Sequence, residues 1–184
     1  MTESPPDDVE PRQVLATGFA TYGIMAIAAL GWLAGRDRTA ELHTQSFGVH
    51  GPWLGAVVGL AAGLLMAVVM AWLSPRLRVL RDIDAMVART FVGIGETAAL
   101  LFVIAGALAE ELLFRLAAQD ALGLFGTVAL YSLLYSSVGG WRWLLIMVPH
   151  ALLLGLLVQC GFGLFASTTA NAIMNHLNLR RLRC

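Results

Sequence analysis

Two adjacent carboxylates and an arginine, Glu110, Glu111 and Arg115, stand at the end of an apolar run that covers residues 91–109. A charged side chain inside a bilayer costs about 3 kcal/mol or more, so such residues usually serve function. On a helix Glu111 and Arg115 lie four positions apart and can form an ion pair. Glu110, about 100° further round the helix, is then left to face other groups. The alternative is a salt bridge that only joins two helices at the membrane edge.

Three other polar side chains interrupt the apolar runs nearer the C-terminus. His150 follows Pro149 in the middle of one run, where an imidazole needs a partner. Asn171 and Asn175 are four positions apart and share one face of a helix. Each has a plainer interpretation, because His150 can bond to a backbone carbonyl and buried amides commonly serve helix packing alone.

Taken together, these residue types suit hydrolysis by a bound water molecule. A carboxylate such as Glu110 can take a proton from water. The His150 imidazole can share or relay that proton, and the amides of Asn171 and Asn175 can stabilise an oxyanion. No serine or cysteine in the sequence is obviously paired with a base, so water is the better candidate for the nucleophile.

The composition indicates that these residues belong to an integral membrane protein. The chain is 58% hydrophobic and only 13% charged, whereas soluble domains carry about 25% charged residues. The formal net charge of zero argues against a nucleic-acid partner. Cys160 and Cys184 form no disulfide framework and are predicted to be unpaired thiols.

The pattern of apolar runs predicts an all-α, polytopic protein with about six transmembrane helices. The predicted spans cover residues 14–34, 53–73, 90–115, 122–138, 141–160 and 164–179. Residues 1–13 are acidic and proline-rich and are predicted to be a disordered tail. Residues 36–51, with His43 and His50, are predicted to be a polar loop. Residues 76–89 mix arginines with apolar side chains, which suits an interfacial amphipathic helix or, equally, a basic cytoplasmic loop.

The arginines predict the orientation in the membrane. Six spans put both termini on the same side of the membrane. If that side is the cytoplasm, every arginine except Arg36, Arg38 and Arg115 lies inside, as the positive-inside rule requires. We therefore expect a multi-pass cell-membrane protein with cytoplasmic termini, the carboxylates in the outer half and the lipid bilayer as its surroundings.

Residues 110–115 read EELLFR and match the EExxxR motif of the CPBP family of intramembrane proteases. That family includes the type II CAAX prenyl endopeptidases and bacteriocin-processing relatives, and the chain resembles it over about residues 90–182. The family's third motif, HxxxN or HxxxD, is matched by Asn171 to Asn175, with asparagine in place of histidine. The segment before it, residues 155–165, is also similar.

The second family motif, FxxxH, diverges in this chain. Residues 132–139 resemble the family's SLLFxxxH, with Tyr135 at the phenylalanine and Gly139 at the histidine. The alternative alignment uses residues 146–150, which keep the histidine as His150. We favour the first alignment, and His150 could then supply the missing imidazole from the neighbouring helix.

The resemblance implies a glutamate-type endopeptidase that cleaves a membrane-associated protein or peptide. In that interpretation Glu110 activates water, Glu111 and Arg115 orient the site, His150 assists proton transfer, and Asn171 and Asn175 stabilise the oxyanion. The protease-like core is residues 90–184, preceded by two helices and a basic amphipathic linker in residues 14–89.

Two further expectations concern cofactors and activity. No cofactor or metal is predicted, although carboxylates and one histidine could bind zinc in principle. The alternative to the protease is a catalytically degenerate scaffold or immunity-type protein that binds a membrane peptide without cutting it. If it is a protease, the outer position of the carboxylates favours C-terminal processing of exported proteins.

Overall fold

A computed structural model describes residues 10–183 of the chain, apart from the side chains at positions 41 and 137–139. This described part is mostly helical, with short turns between the helices, and contains no strand. The helices are α1 (Pro11–Gly35), α2 (Leu42–Phe47), α3 (Gly51–Leu73), α4 (Arg78–Thr90), α5 (Glu96–Glu111), a π-helix (Leu112–Ala118), α6 (Gln119–Gly139), α7 (Leu144–Gln159) and α8 (Gly163–Arg183). Short 3₁₀ turns, Thr39–Glu41 and Trp141–Trp143, precede α2 and α7. The all-α prediction is confirmed, while the predicted tail falls mostly outside the described residues.

Four helical stretches within the described range are long and apolar enough to cross a membrane: Pro11–Gly35, Gly51–Leu73, Glu96–Ser136 and Trp141–Gln159. The structure therefore agrees with the expectation of a membrane protein. The six predicted spans are not confirmed, because only these four stretches of the described chain are long and apolar enough. Helix α8 is not among the four, because its asparagines and terminal arginines lower its hydropathy.

The 41-residue stretch Glu96–Ser136 turns back on itself. In a straight helix, residues 110 and 131 would lie about 31 Å apart, yet the Tyr131 hydroxyl is 3.5 Å from the Glu110 carboxylate. The reversal includes Gly123, whose φ of 70° and ψ of 178° are non-helical and suit glycine alone. The part of α6 after Gly123 therefore runs back towards the end of α5, which brings its two tyrosines to Glu110.

Both ends of the described chain lie at the same end of the helix bundle. Gly93 faces the Pro11 ring, since a Cβ built on Gly93 would be 3.1 Å from Pro11 Cγ. Arg183 donates a hydrogen bond to the Ile94 carbonyl at 3.0 Å. At the opposite end, the Val49 amide donates to the Gly161 carbonyl at 2.9 Å.

A seam of small residues holds α3 against α8. Gly55, Gly59, Gly63 and Ala67 recur every fourth residue on one buried face of α3. A Cβ on Gly59 would lie 2.4 Å from the Ala166 carbonyl oxygen, so the two backbones are in direct contact. Small residues at this spacing let membrane helices approach closely and gain van der Waals contact. The seam fixes α8, which carries both asparagines of the candidate site.

Two connecting segments differ in their agreement with the sequence prediction. Residues 78–90 form a helix, α4, as the amphipathic interpretation predicted, and Arg181 of α8 pairs with Asp84 on it at 2.7 Å. The segment predicted as a polar loop instead contains a 3₁₀ turn and α2. The ring centroids of Phe47 and Phe165 lie 6.2 Å apart, so α2 packs on α8.

Candidate functional site

The carboxylates occupy the last turn of α5, immediately before the π-helix. The Glu111 side chain is fully buried, and Arg115 is only 2% exposed. Arg115 Nε lies 3.4 Å from Glu111 Oε2, so the predicted ion pair is formed. A π turn widens a helix by about one residue and occurs frequently at functional sites. Here it begins directly after the two glutamates and includes Arg115.

Glu110 receives hydrogen bonds from two other helices. Asn171 Nδ2 on α8 donates to Glu110 Oε2 at 3.0 Å. From α6, the Tyr135 hydroxyl donates to Glu110 Oε1 and the Tyr131 hydroxyl lies 3.5 Å from Oε2. Both oxygens of Glu110 therefore accept hydrogen bonds from residues that lie at least 21 positions away in the sequence.

Asn171 joins the two carboxylates. Its amide nitrogen carries two hydrogens and donates to Glu110 at 3.0 Å and to Glu111 at 3.2 Å. Its carbonyl oxygen accepts a hydrogen bond from Asn175 Nδ2 at 2.8 Å. A neutral imidazole donates from only one nitrogen, so asparagine is better suited than histidine to bond both carboxylates at this position.

His150 lies one ring away from the carboxylates. It is 8% exposed, and its ring centroid is 5.9 Å from that of Tyr131. No hydrogen bond joins His150 to Glu110 within the described part of the chain. The predicted relay through His150 stays a prediction; Tyr131 contacts both groups, His150 through its ring and Glu110 through its hydroxyl.

The tyrosines of α6 are site residues that the sequence analysis did not assign. Their hydroxyls bond Glu110, their rings stack with centroids 4.6 Å apart, and the Arg115 guanidinium lies 5.6 Å from the Tyr131 ring centroid, which is a cation–π distance. Ser167 is also fully buried and interacts with the Glu111 carboxylate. The sequence offered one signal for these residues. Tyr131 and Tyr135, and likewise Ser167 and Asn171, are four positions apart and so share a helix face.

Other predicted features lie away from this cluster. His50 Nε2 is 3.2 Å from the Cys160 carbonyl oxygen, and the Cys160 thiol is free and exposed; Cys184 lies outside the described residues. His43 packs on Phe47. Across the described residues, no group of three or more His, Cys, Asp or Glu side chains is arranged to hold a metal ion.

Two surface cavities adjoin the bundle. One, of about 440 Å³, lies between the α4–α5 connection and the end of α8 and is lined in part by Arg89 and Arg183. The other, of about 280 Å³, lies between α1 and α5 and is lined in part by Tyr22 and Ala109. Ala109 immediately precedes Glu110, so this second cavity lies on the helix that carries the carboxylates.

In comparisons with known proteins, no family model, curated protein or solved structure matches the chain. The resemblance to the CPBP family therefore depends on the motif residues themselves.

Proposed function

We propose that the protein is an intramembrane endopeptidase that hydrolyses a peptide bond in a membrane-associated protein or peptide, with Glu110 activating the water. One observation carries the proposal. Residues 60 positions apart in the sequence, Glu111 and Asn171, are both fully buried and meet the half-buried Glu110 in one polar network inside an apolar helical bundle. Removing carboxylates from water in this way is costly unless they are paired and hydrogen-bonded, and it is usually kept for function.

Each residue takes a role that its contacts permit. Glu110 takes a proton from water as the new C–O bond forms, and returns it to the amine when the C–N bond breaks. Glu111 is paired with Arg115 and so holds a fixed negative charge behind Glu110. Asn171 fixes the spacing of the two carboxylates. Asn175 is half-buried and uses one amide hydrogen on Asn171, so its second hydrogen is the group we assign to the oxyanion.

The expected topology completes the proposal. We infer six crossings with both termini in the cytoplasm, supported by the shared position of the two chain ends and by the arginine distribution. Arg36, on the α1–α2 connection, pairs with Asp120 at 3.6 Å, five residues beyond Arg115. The carboxylates then lie towards the outer face, which favours exported proteins with C-terminal membrane anchors as substrates.

The test is cleavage by the purified protein in liposomes. The substrates are a library of peptides anchored in the membrane, with products identified by mass spectrometry. We expect the wild type to cleave at least one peptide, Glu110→Gln to be inactive, and Asn175→Ala to be slowed by about 10²-fold through the loss of one oxyanion donor. His150→Ala tests the predicted relay, because full activity in that variant would remove His150 from the mechanism.

A second candidate, a non-cleaving protein that binds a membrane peptide, is favoured by one specific observation. The two positions aligned with family histidines hold Gly139 and Asn171, neither of which carries an imidazole. Photo-crosslinking with the same library separates the two functions. Specific crosslinks to intact peptides, without cleavage by folded wild type, would establish the binding protein and exclude the protease.

A further inference from the structure

The distinctive feature of this site is a pair of phenols on the catalytic carboxylate. Tyr131 and Tyr135 are four residues apart on α6, and their rings lie at 31° with centroids 4.6 Å apart. One hydroxyl bonds each oxygen of Glu110, Tyr135 at Oε1 and Tyr131 at Oε2. Both oxygens of the half-buried Glu110 carboxylate are therefore in contact with phenol donors from one helix.

The phenols of α6 lie on the segment that resembles the second family motif, FxxxH, where the resemblance implies a phenylalanine and a histidine. Tyr135 aligns with the phenylalanine of the second motif, which has no hydroxyl, and Gly139 aligns with its histidine. The imidazole of His150 packs on the Tyr131 ring, with centroids 5.9 Å apart, and makes no hydrogen bond to Glu110 within the described residues. In this chain the groups in direct contact with Glu110 from α6 are therefore tyrosine hydroxyls.

We propose that Tyr135, supported by Tyr131, is the positioning residue that orients Glu110 for water activation in place of an imidazole. This proposal depends on the proposed endopeptidase function. Each carboxylate oxygen has two lone pairs, so Glu110 can keep its bonds to Tyr135 and Asn171 and still accept the proton from water. The phenol keeps its own proton throughout, and the proton on Glu110 passes to the departing amine.

The two tyrosines differ in their contacts, and therefore in the effect that we expect each to have on Glu110. Tyr131 is buried and packed between Phe114 at 4.8 Å and Tyr135 at 4.6 Å, so its main effect is to fix the neighbouring ring. Tyr135 is half-buried, and its hydroxyl donates to Glu110 Oε1, the oxygen that accepts no other hydrogen bond from the described side chains. We therefore expect the larger kinetic effect at Tyr135.

The kinetic test compares Tyr135→Phe with Ser136→Ala, which removes a hydroxyl from the next residue of α6, where it donates only to the Leu133 carbonyl of its own helix. Loss of a hydrogen bond to a charged group should lower kcat by about 10- to 100-fold in Tyr135→Phe. KM should be unchanged and the variant should remain folded, because the ring and its packing remain. Ser136→Ala should keep the wild-type kcat. Wild-type kcat in Tyr135→Phe, with cleavage otherwise intact, would overturn the proposal and leave the endopeptidase standing.

A spectroscopic test does not require turnover. In protein carrying ¹³C-labelled glutamate, the infrared difference between the wild type and Glu110→Gln isolates the Glu110 carboxyl band. The same difference taken in the Tyr135→Phe background should show that band shifted, and in the Ser136→Ala background it should not. An unshifted band in Tyr135→Phe would overturn the proposal. A shifted band in a protein that cleaves nothing would overturn the endopeptidase function instead, and the catalytic role of Tyr135 with it.

Discussion

At the scale of single residues, the ion pair of Glu111 could be predicted from the sequence. A charged side chain inside an apolar run needs a partner of opposite charge. Glu111 had to pair, and the only cation at helical spacing was Arg115. The tyrosines could not be assigned in the same way. Tyrosine is common in membrane proteins and carries no charge, so nothing marked Tyr135 as a partner of Glu110 until the reversal in the chain at Gly123 was known.

The buried ion pair leads to a stability prediction. Arg115→Met leaves the Glu111 carboxylate buried without its partner, and should lower the free energy of unfolding by about 3–5 kcal/mol. The double variant Glu111→Gln with Arg115→Met removes both charges and should recover most of that loss. Reversible denaturant titration in mixed micelles measures both.

The exposed pair of Arg180 and Glu96 provides the control. Its nitrogen and oxygen lie 3.9 Å apart, and both side chains are more than half exposed. Arg180→Met should therefore cost less than about 1 kcal/mol. A double variant at 111 and 115 that is no more stable than Arg115→Met would contradict the account of the pair.

At the scale of elements, the helices were predictable from the length of the apolar runs, whereas their irregularities were not. The predicted helix for residues 90–115 is in fact α5 followed by a π-helix that continues to Ala118. No residue type distinguishes a π turn from an α turn, because only the hydrogen-bond partner of each amide changes. The glycines of the α3 seam recur every fourth residue in the sequence, but the helix that they contact does not follow from that spacing.

The seam predicts a strong effect of side-chain size at Gly59. Gly59→Leu places atoms where the Ala166 carbonyl oxygen would be 2.4 Å from the new Cβ, so α3 and α8 must separate. We expect a loss of at least about 1–3 kcal/mol in unfolding free energy. Cleavage should fall as well, since α8 carries Asn171 and Asn175. Thermal unfolding in detergent and the liposome assay measure the two effects.

Gly31 offers a matched control on α1. A Cβ there would meet no atom within 4 Å, so Gly31→Leu should leave both stability and cleavage close to wild type. Equal effects of leucine at positions 31 and 59 would show that α3 and α8 do not depend on close backbone contact.

At the scale of the whole molecule, composition alone indicated a membrane protein, because 13% charged residues cannot cover a soluble surface of this size. The arrangement of ends is a structural finding, with Pro11 and Arg183 both next to residues 93–94. The orientation in the membrane comes from the arginines and not from packing, so it remains a prediction.

Thiol labelling tests that orientation. Cys160 is exposed at the end of the bundle that we expect to face outward, and Asp82, on α4, is exposed near the opposite end. In a Cys184→Ser background, a membrane-impermeant maleimide should label Cys160 in intact cells. In the variant Asp82→Cys with Cys160→Ser and Cys184→Ser, labelling should require permeabilised cells. The reverse pattern would invert the topology, and labelling of both sites from outside would contradict six crossings.

The most direct test of the central claim is cleavage in water enriched with heavy oxygen, comparing wild type with Glu110→Gln in the same liposomes. The account predicts that the wild type cuts a membrane-anchored peptide and leaves one heavy oxygen atom in the new carboxyl group. Glu110→Gln should remain folded and give no product. Equal cleavage by Glu110→Gln, or none by folded wild type across a broad peptide library, would contradict it.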